Sequence, residues 1–281
     1  MLSMPPTSPT PAVPAPSFAD ALARVHDRIE RACADAGRDE HEVRLLLATK
    51  TQDADDVRAA VLADRAAGRT AQVLVGENRV QELTAKAPEL ADLALTTHLI
   101  GPLQSNKVNH ALRALAQHRQ GCVETVDSLS LAEKIGSRVL AAAAGGNAAD
   151  GNAADGAEHD GPGSPAASAP LDVYVQVNVS GEESKAGVAP EAAVELALAV
   201  AGVPGLRLSG LMTIGARSAD EGLVRAGFAR LRGLRDEVLG SGVAGTGEAT
   251  ELSMGMSQDL EWAVAEGATL VRVGSAVFGV R

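Results

Sequence analysis

The sequence predicts an α/β protein folded as a single (β/α)8 TIM-type barrel, and three observations carry that prediction. Eight short aliphatic or β-branched runs recur along the chain, and stretches with helical spacing separate them. The runs are apolar throughout rather than alternating, which is the pattern of parallel strands covered on both faces. Two segments unfit for a core can be set aside, leaving residues 18–143 and 171–281, close in total to the ~250 residues of such a barrel. An open doubly wound sheet is the competing arrangement, but no Gly-x-Gly-x-x-Gly follows the first run to favour it.

Each element can be justified in order. Residues 1–17 hold six of the thirteen prolines among Ser, Thr and Ala, so a disordered tail is expected there. A helix over Phe18–Ala36 leads into the first strand, Val43–Ala48. Helical spacing over 53–67, 77–86, 105–117 and 128–142 then alternates with strands at Gln72–Val75, Thr97–Ile100 and Cys122–Val126. Residues 144–170 carry a tandem Gly-Asn-Ala-Ala-Asp repeat and almost nothing to bury, so a flexible insertion within the barrel domain 18–281 is expected. Beyond it come strands at Asp172–Val179, Leu206–Ile214, Thr250–Ser253 and Leu270–Val273, with helices over 190–201, 218–239 and 258–266. Asp127-Ser128 and Ser257 stand where helix N-caps are expected.

Composition narrows the function. The 25 Lys+Arg against 36 Asp+Glu leave a formal charge of −11, which argues against a general phosphate-backbone binder. Aromatic residues at 2% provide few stacking platforms for single strands. No apolar run approaches the ~20 residues of a membrane span, and no basic-then-apolar leader opens the chain, so a cytoplasmic protein is expected. Cys33 and Cys122 cannot make a disulfide framework, and the six histidines lack metal-ligand spacing, so no metal is expected. No Gly-x-Ser-x-Gly elbow is present.

In a barrel of this kind ligands bind at the C-terminal strand ends. Lys50 ends the aliphatic run Leu45-Leu46-Leu47-Ala48, which would bring its stem out inside the mouth. Burial there would lower its pKa and make the amine nucleophilic toward carbonyls; the bland alternative is a lysine snorkelling to solvent. Gly274 and Ser275, after the eighth run, offer backbone N–H groups and a hydroxyl to a phosphate, or simply a tight turn. Arg272 either points a fixed cation at the barrel centre or pairs with a core carboxylate. Ser253 to Ser257 could complete the phosphate site, with Ser257 also a cap. Glu77 and Asn78 orient a ligand or cap a helix, and His98 reads first as a satisfied structural histidine.

Taken together, these segments resemble the pyridoxal phosphate homeostasis protein family, barrels related to the N-terminal domain of alanine racemase. The matching segments are Leu47-Ala48-Thr49-Lys50-Thr51, Val75 to Glu82, His98 to Lys107, Val177-Asn178-Val179 with Glu183 to Gly187, Gly210-Leu211-Met212, Leu252 to Ser257 and Val271 to Gly279. The resemblance implies that Lys50 forms a Schiff base with pyridoxal 5′-phosphate and that Arg272 approaches the pyridine nitrogen. An arginine there leaves the ring nitrogen unprotonated and weakens the electron sink. It further implies that Ser253, Gly274 and Ser275 hold the phosphate and that Asn78, His98 and Met212 line the pocket. Thr49 in place of Ser, Arg79 in place of Tyr, Gln258 in place of Asp and the 144–170 insertion depart from the family pattern, and none falls on the lysine or phosphate positions.

A racemase must take a proton from one face and return it to the other, which requires two positioned groups. In alanine racemase the second is a tyrosine from an added β domain, and such a domain is not expected after Arg281. Tyr174, the one tyrosine here, falls in the N-terminal half of its strand. The resemblance therefore implies a carrier in vitamin B6 homeostasis that binds pyridoxal phosphate without turnover, with apo forms of enzymes using that cofactor as recipients. The alternatives are a racemase recruiting Lys50 and a water, and a phosphate-sugar barrel enzyme with no cofactor.

Overall fold

The computed structural model describes residues 17–69, 71–145, 169–182 and 185–279. The tail to residue 16, the segment 146–168 of the predicted insertion, and Glu183-Ser184 of one matching motif lie outside them.

Eight strands close a parallel barrel in chain order: β1 (Arg44–Ala48), β2 (Leu74–Glu77), β3 (Thr96–Leu99), β4 (Gln120–Val126), β5 (Leu171–Gln176), β6 (Leu206–Met212), β7 (Glu251–Ser253) and β8 (Leu270–Val273). β8 returns to β1 with Leu47 opposite Val273, which leaves no open edge. Helices surround it: α1 (Phe18–Asp35), α2 (Ala54–Ala66), α3 (Val80–Leu90), α4 (Val108–Leu115), α5 (Leu129–Ala143), α6 (Pro190–Ala201), α7 (Glu221–Gly240) and α8 (Leu260–Ala265), with a closing turn, α9 (Ser275–Phe278).

The continuous apolar runs have a direct explanation. Leu45 and Leu47 pack outward with helix residues such as Val57, Val61 and Leu83, while Leu46 turns inward to meet Leu74 and Leu270. Neighbouring positions are buried on opposite faces, so both favour apolar residues. Cys122, Tyr174 and Met212 form a second small cluster inside the barrel.

Several helix starts differ from expectation. α3 begins at Val80 rather than 77, because Glu77 is the last residue of β2 and Arg79 occupies the cap position. Neither Glu77 nor Asn78 therefore caps that helix. Ser257 is not the cap of α8 either; the helix begins at Leu260 behind Asp259, whose Oδ1 accepts the Met256 N–H at 2.6 Å. Ser128 does occupy the cap position of α5, without a side-chain hydrogen bond to the helix.

Candidate cofactor site at the C-terminal mouth

Lys50 lies in the turn two residues beyond β1 and is exposed. The expected burial is not what the structure shows, because the chain turns outward once β1 stops. What the structure adds is an anchor beneath the lysine. Thr49 is fully buried; its N–H bonds to the Gly76 carbonyl at 3.0 Å and its hydroxyl donates to Glu77 Oε1. Lys86 reaches up from α3 to bond the Thr49 carbonyl at 2.9 Å and Glu77 Oε1 at 2.7 Å. On the far side of Lys50 the Thr51 N–H meets Glu82 Oε2 at 3.2 Å, and Thr51 adopts φ +64°. A β-branched residue in the left-handed region is strained, and strain of this kind persists only where surrounding bonds impose it.

Burial raises the Glu77 carboxyl above its ordinary 4.5; the Lys86 charge and the bonds from Lys86 and Thr49 pull it back only in part. Its second oxygen, Oε2, is buried without a partner among the described residues.

Arg272 is buried inside the barrel. Its Nη1 donates to Ser253 Oγ and its Nη2 to the Thr213 carbonyl, each at 2.7 Å. Ser253 in turn donates to Glu124 Oε2 at 2.5 Å, and Glu124 Oε1 is bonded to His98 Nδ1 at 2.5 Å. Burial works against the Glu124 carboxylate, but the bond and charge of His98, the charge of Arg272 and the Ser253 hydroxyl outweigh it and hold the group below 4.5. Burial lowers Arg272 from its ordinary value, opposed by Glu124 and Asp259. An ionised carboxylate only accepts, so His98 Nδ1 is the donor, and the single Ser253 proton is committed to Glu124.

This arrangement parts the predicted site residues into two groups. Ser253 lies with Arg272, its hydroxyl bonded to both Arg272 and Glu124. His98 sits deeper, on Glu124, and Met212 packs against Cys122 and Tyr174. Met212 and Ser253 are the last residues of β6 and β7, and both are buried. His98, Cys122 and Tyr174 instead line a cavity of about 200 Å³ at the opposite, N-terminal mouth, beside the strand-start ion pairs Arg44–Glu251 and Arg207–Asp172.

The second group is at the strand ends around Lys50. Gly274 follows β8 and packs on β1: a Cβ there would lie 3.0 Å from the Ala48 carbonyl. Ser275 beside it is exposed, and its hydroxyl makes no hydrogen bond to another described residue. The β7 loop runs alongside, with the Met254 N–H on the Leu270 carbonyl and the Arg272 N–H on the Gly255 carbonyl. Beyond Gly255 the loop turns, and half-buried Ser257 accepts the Arg28 Nη2 of α1 on its carbonyl at 3.0 Å. The half-buried Asn78 side chain follows β2, and its backbone approaches Gly101 so closely that a Cβ at Gly101 would lie 1.8 Å from the Asn78 carbonyl oxygen.

The anchoring role of Glu77, Lys86 and Glu82 beneath and beside Lys50, and the buried Glu124, lay outside the sequence reading, which took Glu77 for a ligand contact or a cap. Glu77 carried a signal, being an acid at the end of an apolar run; Lys86 and Glu124 carried none, since their partners are remote in the chain.

Comparison with known proteins identifies the family. The family model for the N-terminal domain of alanine racemase matches residues 33–281. The pyridoxal phosphate homeostasis protein of Pseudomonas aeruginosa is 42% identical over 266 residues, covering 94% of this chain and 96% of its own. A solved structure of an unknown protein from Bifidobacterium adolescentis is 40% identical with a TM-score of 0.77, covering 93% of this chain and 94% of that one. PipY of Synechococcus elongatus, solved with PLP bound, is 30% identical with a TM-score of 0.68, covering 93% of this chain and 100% of that one. The chain thus belongs to the alanine racemase N-terminal domain family, among the pyridoxal phosphate homeostasis proteins.

Proposed function

We propose that this chain holds pyridoxal 5′-phosphate through Lys50 at the C-terminal mouth, as a carrier in vitamin B6 homeostasis that turns over no amino acid. The observation that carries the reading is the placement of three kinds of group. An exposed amine on a clamped turn stands beside a Gly-Ser strand end, with a fixed guanidinium in the barrel beneath. That donor set suits an aldehyde, a phosphate dianion and a ring nitrogen in turn. When bound, the cofactor supplies an electrophilic aldehyde and an electron-withdrawing ring.

The chain's own residues do the rest. Lys86 and Glu82 fix the backbone on either side of Lys50, so its amine is presented from a rigid base. Gly274, Ser275 and Ser257 take the phosphate, and the Asn78 amide, which bonds no described residue, is available to the ring face. Ser253 serves by holding Arg272. A two-base reaction lacks its tyrosine, because Tyr174 lines the cavity at the opposite mouth. No helix among the described residues is long and apolar enough to cross a membrane. The carrier reading takes a cytoplasmic cofactor pool as its source and apoenzymes as recipients.

Reconstituted protein should absorb in the visible range and Lys50→Ala should be colourless, while neither shows exchange of the Cα proton of amino acids in deuterated buffer. Turnover that disappears with Lys50→Ala would point to the racemase instead.

A further inference from the structure

Away from the mouth, the barrel interior contains an acid for which the cofactor reading has no direct use. Glu124 has no exposed surface, and the Leu46, Leu74 and Leu270 cluster shows that aliphatic side chains can fill the barrel interior. Replacing a buried charge pair by apolar residues is often neutral or stabilising, so packing alone does not account for a carboxylate here. What the carboxylate does is complete a directed chain. Arg272 donates to Ser253, Ser253 donates to Glu124, and His98 donates to the other Glu124 oxygen.

We propose that Glu124 is a positioning residue for the cofactor arginine: through Ser253 it locks the Arg272 guanidinium in place and balances its charge, with His98 fixing Glu124 from below. The proposal rests on the cofactor reading above, in which Arg272 faces the ring nitrogen. The geometry supports it in three ways. The guanidinium is clamped at both Nη1 and Nη2, so it cannot turn. The Ser253 hydroxyl has one proton, and only an acceptor such as Glu124 makes it present a lone pair to Arg272. The negative charge sits one hydroxyl away from a cation, and all three groups are buried, where charges act strongly on one another. The charge felt by a ring above Arg272 is therefore set in part by a residue that never touches it.

The test uses the full chain reconstituted with pyridoxal phosphate, as wild type, Glu124→Gln and Ser253→Ala. Each is reduced with borohydride and mapped by mass spectrometry. Each is also titrated for cofactor affinity and for the pH dependence of its visible band. The expected result is an adduct at Lys50 in all three. In both variants affinity falls at least about tenfold, the size of one lost charge-assisted hydrogen bond, and the midpoint of the band's pH titration moves. A lowered melting temperature with affinity and midpoint unmoved makes Glu124 merely structural and overturns the proposal. If Glu124→Gln does not fold, Ser253→Ala decides alone, because it keeps both charges and removes only the bridge. Absence of the Lys50 adduct from wild type itself is a different failure: it removes the cofactor reading, and this proposal with it.

Discussion

Lys50 is the residue the sequence pointed to, yet its exposure shows that burial is not what equips it. The turn is instead secured from beneath by Lys86 and Glu77 and from beside by Glu82. Lys86→Met leaves Glu77 buried without its countercharge and should cost about 3–5 kcal/mol, whereas Lys86→Met with Glu77→Leu should recover much of that loss. A urea-unfolding double-mutant cycle measures the coupling. Thr51→Gly relieves a strained φ of +64° and should leave stability unchanged or raise it by ~1 kcal/mol, while pyridoxal phosphate dissociates faster. The two buried acids respond to pH in opposite senses. Glu77, raised above 4.5 in the fold, binds its proton more tightly there than when unfolded, so stability is gained as pH falls from neutral toward 4.5. Glu124, held below 4.5, contributes stability above that value and loses it as pH falls through its folded pKa. Urea midpoints against pH should show Glu77→Gln without the first gain and Glu124→Gln without the second loss.

Strands were legible because a strand of this barrel is buried on both faces, and β8 falls on the predicted Leu270–Val273. Helix starts were less so. Ser257 looked like a cap by residue type, but the β7 loop continues alongside β8 for two further residues and the helix starts behind Asp259. Cross-barrel partners were not legible at all: Ser253 and Glu124 lie 129 residues apart, and no periodicity reports which inward residues meet at the axis. Two predictions belong at this scale. Gly101→Ala drives a Cβ into the Asn78 carbonyl and should destabilise by about 1–3 kcal/mol, with a loss of cofactor affinity that a remote surface substitution does not share. Ser17→Ala removes the hydroxyl that accepts the Asp20 N–H at the start of α1 and should cost ~1 kcal/mol with affinity unchanged.

For the whole molecule, the barrel separates two polar ends. The N-terminal mouth is laced with ion pairs, and Lys50, Asn78 and Gly274 follow the C-terminal ends of β1, β2 and β8. Binding at one mouth stabilises the entire fold, by about 2.7 kcal/mol at a ligand concentration one hundred times Kd, and a thermal melt reads that shift directly. The most direct measurement of the central claim is peptide mass spectrometry of the borohydride-reduced holoprotein. The account predicts a reduced pyridoxyl phosphate group on Lys50, with that label lost in Lys50→Ala. A label on Lys185, Lys107 or another amine, or no label on protein that binds the cofactor, would contradict it.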